Sequence, residues 1–371
     1  TSRVRSPSPA LRQNHDFQDW IDLQDNLVSK KIHPASFLVV RTDRLGDVLL
    51  TLPMASALRL SFPSSHVSFL VRNYTAPIVE RCSDVDDVRL VNDRPSIREL
   101  IRVMRGERAA FFPNARFSLA LAAFLARVPK RIGTGYRWYS FLFTDKIYEH
   151  RKTAERNEAE YNLRMLKALG IETNVDGIAS IELRKEERTV IQKWIDEKLG
   201  GGSFAVLHIG SGGSAQAWPV NYFIEAGQSI AHRGMKIVLT GTPEEEAAIR
   251  TVSKSIGAAA IPFIGHSLPE LAALLERAEI VITNSTGPGH LAATLGTPTI
   301  GLFPLPLAIS KERWGFRGAK AVNLSPDPLP ECPNCAQCNC MERLTPKTVE
   351  LTLEKIVTQF NDVKLVYHKL V

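Results

Sequence analysis

The chain has 371 residues, 44% hydrophobic and 23% charged, with a formal net charge of +7; this composition describes a globular chain with ample core and room for two domains. No apolar run reaches the ~18 residues needed to span a bilayer, and no signal-peptide pattern precedes the first apolar segment, which argues against an integral membrane protein. The charge is uneven: residues 1–200 hold 32 Lys+Arg against 25 Asp+Glu, whereas residues 201–371 hold 14 of each.

In chain order, residues 1–35 are polar and read as an extension with one short helix in "FQDWIDLQDNLVSKK". "FLVVR" is the first buried strand, and an apolar helix pattern over 48–62 ends at "FP". Between them lies "RTDRLGDVLLTLP", which puts Asp43, Arg44 and Asp47 at the seam of strand and helix. In open α/β sheets ligands bind outside the carboxyl ends of the strands, so charge at this seam suits chemistry better than solvation. Asp47 has two readings: a cap for a helix starting at Val48, or a carboxylate presented to substrate.

"HVSFLV" and "DVRLV" follow as strands, then a helix at 96–105, the strand "AAFF" and a helix at 115–126. "SDVDDV", before the third strand, contains a D-x-D pair, Asp84 and Asp86; it reads as a polar turn, with a metal site as the rival. Between Arg94 and Arg137 ten basic residues face only Glu99 and Glu107. Arg94, Arg98, Arg102 and Arg105 are spaced for one helical face. That face is either solvated or turned to an anionic partner: acidic glycolipid, anionic membrane or, last of the three for want of interleaved aromatics, nucleic acid.

Polar helices at 157–169 and 185–199 lead to "GGGS", a hinge signal, after which the pattern restarts. "FAVLHIG", "KIVLTG", "EIVITN" and "TIGLF" are strands with helices between them, and a last helix spans 346–361. Strands alternating with helices argue parallel sheets covered on both faces. Two such runs predict two doubly wound domains facing across a cleft, with the last helix near the hinge.

The loops after the second-half strands are small and polar. "HIGSGGSAQAWP" precedes a helix that Pro219 starts, and its backbone N–H groups suit phosphate, or it is a plain turn. In "LTGTPEEEAAIR" the glutamates 244–246 either complement the helix dipole or hold a ribose hydroxyl pair. "TNSTGPGHLAATLGTPTIGLF" ends a strand at Asn284 and continues in small residues that let backbone approach a ligand. His290 opens the next helix, as a buried structural histidine or a donor facing a diphosphate. "CPNCAQCNC" packs Cys332, Cys335, Cys338 and Cys340 within nine residues, tight for one zinc; reduced thiols are the first reading and metal or redox behaviour the second. Cys82 reads as core.

"RTDRLGDVLLTLP", a Trp-Pro pair after a Gly/Ser loop, and "NSTGPGHLAATLGTP" together resemble the heptosyltransferase family of bacterial glycosyltransferases over residues 36–361. The resemblance implies a GT-B architecture of two Rossmann-like domains: an acceptor domain over 36–178 and a nucleotide-sugar domain over 179–371. It implies an inverting, metal-independent transfer of heptose from ADP-heptose to the lipopolysaccharide inner core, with no cofactor. By the same resemblance Asp47 is the catalytic base, with Asp43 and Arg44 shaping charge and acceptor position. Ser211, Gly212 and Ser285, Thr286, Gly287 and His290 meet the diphosphate. Thr240 and Gly241 border the base, and Glu245 holds the ribose.

Arg98, Arg102 and Arg137, with Trp138, are expected to contact an anionic glycolipid acceptor. Two positions depart from the family pattern: Gln216 stands where Lys is common, and Ser285 where Asp is common. These expectations describe a cytoplasmic enzyme, peripheral to the inner membrane and not binding nucleic acid. The alternatives are the same reaction with another nucleotide sugar, or a non-catalytic nucleotide-sugar-binding homologue.

Overall fold

A computed structural model describes residues 36–172, 176–213, 216–329 and 339–368. The expected amino-terminal extension and Cys332, Cys335 and Cys338 lie outside the described residues. The chain divides into two units. The first runs to Arg151 and resumes over Glu158–Glu182; the second takes Lys152–Asn157 and everything from Leu183.

The first unit carries strands β1 (Ser36–Val40), β2 (His66–Arg72), β3 (Asp87–Val91), β4 (Ala109–Phe111), β5 (Lys130–Thr134) and β6 (Asp145–Ile147). Its helices are α1 (Leu45–Leu49), α2 (Pro53–Ser61), α3 (Ala76–Val79), α4 (Ile97–Met104), α5 (Phe117–Leu125) and α6 (Glu158–Arg164). All strand pairs are parallel, in the order β3-β2-β1-β4-β5-β6. β1 is central and its "FLVV" is buried throughout, as a strand covered by helices on both faces requires.

The single helix expected over 48–62 is two helices, α1 and α2. Pro53 starts α2 at its first position, where its missing N–H costs nothing. The Thr51 hydroxyl bonds back to the Asp47 carbonyl at 2.7 Å, closing the turn between them. The helix expected at 96–105 is α4, capped by Ser96, whose Oγ accepts from the Glu99 N–H at 3.2 Å. Arg94 therefore precedes the helix and Arg105 is its extended C-cap, so only Arg98 and Arg102 ride on it.

The second unit holds β7 (Phe204–His208), β8 (Lys236–Gly241), β9 (Ala260–Ile264), β10 (Ile280–Asn284), β11 (Thr299–Leu302) and β12 (Ala321–Leu324). Helices α7 (Lys185–Leu199), α8 (Val220–His232), α9 (Glu246–Ile256), α10 (Leu268–Arg277), α11 (Gly287–Thr294), α12 (Lys311–Trp314) and α13 (Pro346–His368) accompany them. The order is β12-β11-β10-β7-β8-β9, again all parallel. Renumbered from its own first strand, this sheet has the same 3-2-1-4-5-6 order as the other, the order of dinucleotide-binding folds. α13 extends past the expected 361 and packs Val349, Leu353 and Ile356 into the core of the second unit, together with Trp218 and Phe223.

In such sheets the strand order reverses between the first and fourth strands, which opens a crevice at their carboxyl ends. Here those points lie between β1 and β4, and between β7 and β10.

Candidate active site

At the reversal in the first unit, the residue after β1 is Arg41, only 2% exposed. A guanidinium in such a place must be paired. Its Nε lies 3.0 Å from Asp43 Oδ2, its Nη2 donates to Asp47 Oδ1, and its Nη1 lies 3.6 Å from Glu158 Oε1. The other Asp43 oxygen accepts from Asn114 Nδ2 at 2.9 Å and Arg116 Nη2 at 3.0 Å. Asn114 and Arg116 follow β4, so Asp43 ties the two loops that flank the reversal.

Asp47 occupies the first turn of α1. The cap position is Arg44, whose side chain makes no cap bond, so Asp47 is not the helix cap. Its side chain is 20% exposed. Burial pushes its pKa above the ordinary carboxylate value; Arg41 opposes the rise and Asp43 adds to it. Arg44 is exposed, and the Tyr74 hydroxyl donates to the Asp43 carbonyl at 3.2 Å.

A cavity of about 220 Å³ opens beside Thr42, lined by Arg72, Asn92, Arg94, Arg116 and Ser118 among others. Arg98, Arg102 and Arg137 do not line it. Arg98 and Arg102 are exposed on α4, and Arg137 is exposed beside Trp138, which stacks on Phe117 at 4.9 Å between ring centres.

At the reversal in the second unit, Asn284 ends β10 with no exposed surface. It accepts from the Trp218 N–H at 2.8 Å and donates to the Ile209 and Gly210 carbonyls at 3.1 and 3.4 Å. The loop after β7 is thereby fixed to the loop after β10. Trp218 in turn donates its indole N–H to the Leu344 carbonyl at 2.5 Å. Within this frame Ser211 is half-buried, and Gly212 and Gly213 take left-handed φ of +52° and +67°, a conformation that favours glycine.

Glu245 lies in a short 3-10 turn before α9, where its carboxylate accepts from the Thr242 N–H at 2.9 Å. It fills space that a side chain at Gly210 or Gly241 would occupy: a Cβ built on either would come within 3 Å of its carboxylate. Thr240 is buried and its Oγ1 lies 2.9 Å from His208 Nδ1. Burial pushes His208 down to about 4, with Glu245 opposing.

The Ser285 N–H donates to the Leu302 carbonyl at 3.1 Å, and Thr286 Oγ1 pairs with Thr283 Oγ1 at 2.9 Å. α11 starts at Gly287, and with Pro288 at its second position the first-turn N–H groups are those of Gly287 and Gly289, which have no preceding helical carbonyl to bond. His290 belongs to the second turn rather than opening the helix. It is 5% exposed, edge-on to Phe316 at 4.8 Å, and burial pushes its pKa down to about 3. Gln216 donates to Asn339 Oδ1 and accepts from Cys340 Sγ, both at 3.3 Å, which ties it to the residues after the cysteine-rich loop.

Residues 97–338 match the model of glycosyltransferase family 9 (heptosyltransferase). The chain belongs to that family. It is 22% identical to lipopolysaccharide heptosyltransferase 3 of Escherichia coli, over 70% of this chain and 80% of the relative. Its fold matches a family 9 glycosyl transferase from Veillonella parvula at TM-score 0.75 and 21% identity, covering 88% of this chain and 97% of that one. It also matches E. coli ADP-heptose lps heptosyltransferase II at TM-score 0.72 and 17% identity, covering 88% and 99%. The two units of this glycosyltransferase are thus the Rossmann-like halves of a GT-B fold.

In the transferase, Asp84 accepts from Ser56 Oγ, and Asp86 accepts from Arg59 Nη2 at 2.6 Å and the Val67 N–H at 2.8 Å. The D-x-D pair is therefore engaged in joining α2 to the sheet. Among the described residues no group of three or more His, Cys, Asp or Glu is arranged to hold a metal, and no helix is long and apolar enough to cross a membrane. A larger cavity, about 630 Å³, lies between α8 and α13, and none of the expected donor residues lines it.

Sequence reasoning passed over Arg41, Glu158, His208 and Asn284 as site residues. Arg41, directly after β1, opens "RTDRLGDVLLTLP", and Asn284, the last residue of β10, opens "NSTGPGHLAATLGTP"; a polar residue where a buried central strand ends is the signal that marks both. Glu158 carries no such mark.

Proposed function

We propose that this family 9 glycosyltransferase is inverting and metal-independent, and moves a heptose or related sugar from an ADP-sugar to an anionic glycolipid such as the lipopolysaccharide inner core. It would work in the cytoplasm, at the face of the inner membrane. The observation that carries the reading is Asp47, a partly exposed carboxylate at the carboxyl end of the central strand, held by a buried arginine. Direct displacement requires such a group. The acceptor hydroxyl loses its proton to a base as its oxygen attacks the anomeric carbon, and one attack from the far side inverts that carbon.

The departing diphosphate needs its charge met. Backbone N–H groups around Ser211 and Gly212 and in the first turn of α11, after Ser285 and Thr286, suit that role. His290, neutral at physiological pH, would contribute packing or a hydrogen bond rather than charge. Glu245, with Thr240 and Gly241, is assigned to the ribose and base. On the acceptor side the cavity ringed by Arg72, Arg94 and Arg116 suits an acidic group next to the attacking hydroxyl. Arg44, Arg98, Arg102 and Arg137 would hold the rest of the glycolipid. ADP-heptose as donor is supported by the relatives named above, and Gln216 and Ser285 leave that donor site without the usual charged pair.

The test is Asp47→Asn, assayed with ADP-heptose and heptose-free lipopolysaccharide. Turnover should fall about 100-fold or more, the scale of a general base, while ADP affinity by calorimetry stays put. Turnover within a few-fold of wild type would sink the assignment. Chelator should leave the wild-type rate unchanged; strict dependence on Mg²⁺ or Mn²⁺ would overturn the metal-independent reading.

A further inference from the structure

The three nitrogens of Arg41 face three different carboxylates: Nε faces Asp43, Nη2 faces Asp47 and Nη1 faces Glu158. Only the contact with Asp47 has hydrogen-bond geometry. Glu158 is 1% exposed, and its second ionic partner is Arg151, which brackets the chain on the other side of residues 152–157. Charge thus alternates along a line whose middle, Glu158 and Arg41, is buried and whose ends are partly exposed: Arg151, Glu158, Arg41, Asp47.

A second line runs beside it. Asn162, one helical turn after Glu158 and on the same face of α6, accepts from Arg151 at 3.2 Å and donates to the Leu50 carbonyl and Thr51 Oγ1, both at 3.0 Å. Thr51 in turn bonds the Asp47 carbonyl. α6 therefore holds the Asp47 turn at its backbone through Asn162 and at its side chain through Glu158.

We infer that Glu158 is a positioning residue for the reaction: by taking one edge of the Arg41 guanidinium, it fixes where the Asp47 carboxylate sits and moderates how strongly Arg41 holds it in the ionised state. This rests on the reading of Asp47 as base. The physical argument is one of shared charge. Arg41 alone against Asp47 would make a tight buried ion pair, and a carboxylate so paired is a poor proton acceptor. Dividing one positive charge among three carboxylates leaves Asp47 with a higher proton affinity, as a base needs. The other charged groups around Asp47 are Asp43 and Arg44 on its own loop. Arg116, before α5, reaches the Asp43 carboxylate, and Tyr74, after β2, donates to the Asp43 carbonyl while its phenol lies near enough to feel the Asp47 charge.

The experiment is a ¹³C NMR titration of the Asp47 carboxyl in wild type, Glu158→Gln and Arg41→Gln, with donor and acceptor absent. Glu158→Gln removes a negative neighbour and frees Arg41, so the Asp47 midpoint should fall by about half a pH unit or more. Arg41→Gln should move it up instead. Arg151→Gln, at a partly exposed position, provides a route if Glu158→Gln does not fold. It lets Glu158 draw Arg41 more strongly, and the Asp47 midpoint should rise.

If neither carboxylate-side nor arginine-side variant moves the midpoint, or both move it in one direction, the inference is overturned. The pH profile of turnover separates this from the reading of Asp47 as base. An NMR midpoint that shifts while the acid limb of turnover stays fixed would keep the Glu158 coupling and remove Asp47 from catalysis.

Discussion

His208 and His290 are buried near strand ends of the second unit and held neutral, near 4 and near 3. In the unfolded chain each titrates at about 6.5. Below that value the unfolded state binds protons that the folded state refuses, so stability falls as the pH drops from there towards 4. Each histidine contributes on the order of a few kcal/mol to that slope over the window. Thermal melts between neutral pH and about pH 5 should show the loss, and His290→Gln should flatten the dependence. A slope unchanged by the substitution would mean that His290 charges without cost.

Asn284 is the other residue whose removal should be felt. Asn284→Ala leaves the Trp218 N–H buried without its acceptor and unties the β7 loop from the β10 loop. A loss of about 1–3 kcal/mol in stability is expected, with weaker ADP binding by calorimetry. Unaltered ADP affinity would show that the β7 loop keeps its shape without this clamp. At this scale the sequence exposed Asp47, because a carboxylate at a strand-to-helix seam is out of place as mere solvation. It hid Glu158, because the partnership with Arg41 is made by tertiary packing.

Among elements, the eight strands legible in the sequence are strands of the structure. β5, β6, β9 and β12 were not legible. β9 and β12 are the two edge strands of their sheet: β9 carries Pro262, tolerated there because an edge residue need not donate to a neighbour. β6 has three residues and β5 is "KRIGT", so neither offers the apolar run by which a buried strand is recognised. The arginines of α4 failed the single-face expectation because Ser96 starts the helix after Arg94. Arg98 and Arg102 remain exposed on it. Replacing both with glutamine should weaken partition onto anionic liposomes and reduce its salt sensitivity, since exposed pairing is screened over about 8 Å. ADP binding should not change. An unchanged partition would leave these arginines as solvated surface.

For the molecule as a whole, both sheets carry one strand order and both use a side chain to join the loops at the reversal: Asp43 in one, Asn284 in the other. The chain crosses from unit to unit three times, after Arg151, after Asn157 and after Glu182. The short excursion is anchored where Asn157, buried, donates to the Gly315 carbonyl at 2.9 Å. The two units are therefore not separable by one cut. A chimera that exchanges the second unit for that of another family member must exchange two stretches together, 152–157 and 183 onward. One spliced only at 182/183 would set the retained Asn157 against a foreign residue at position 315, whereas the two-stretch exchange leaves the ion pair between Arg151 and Glu158 intact at the edges of the graft.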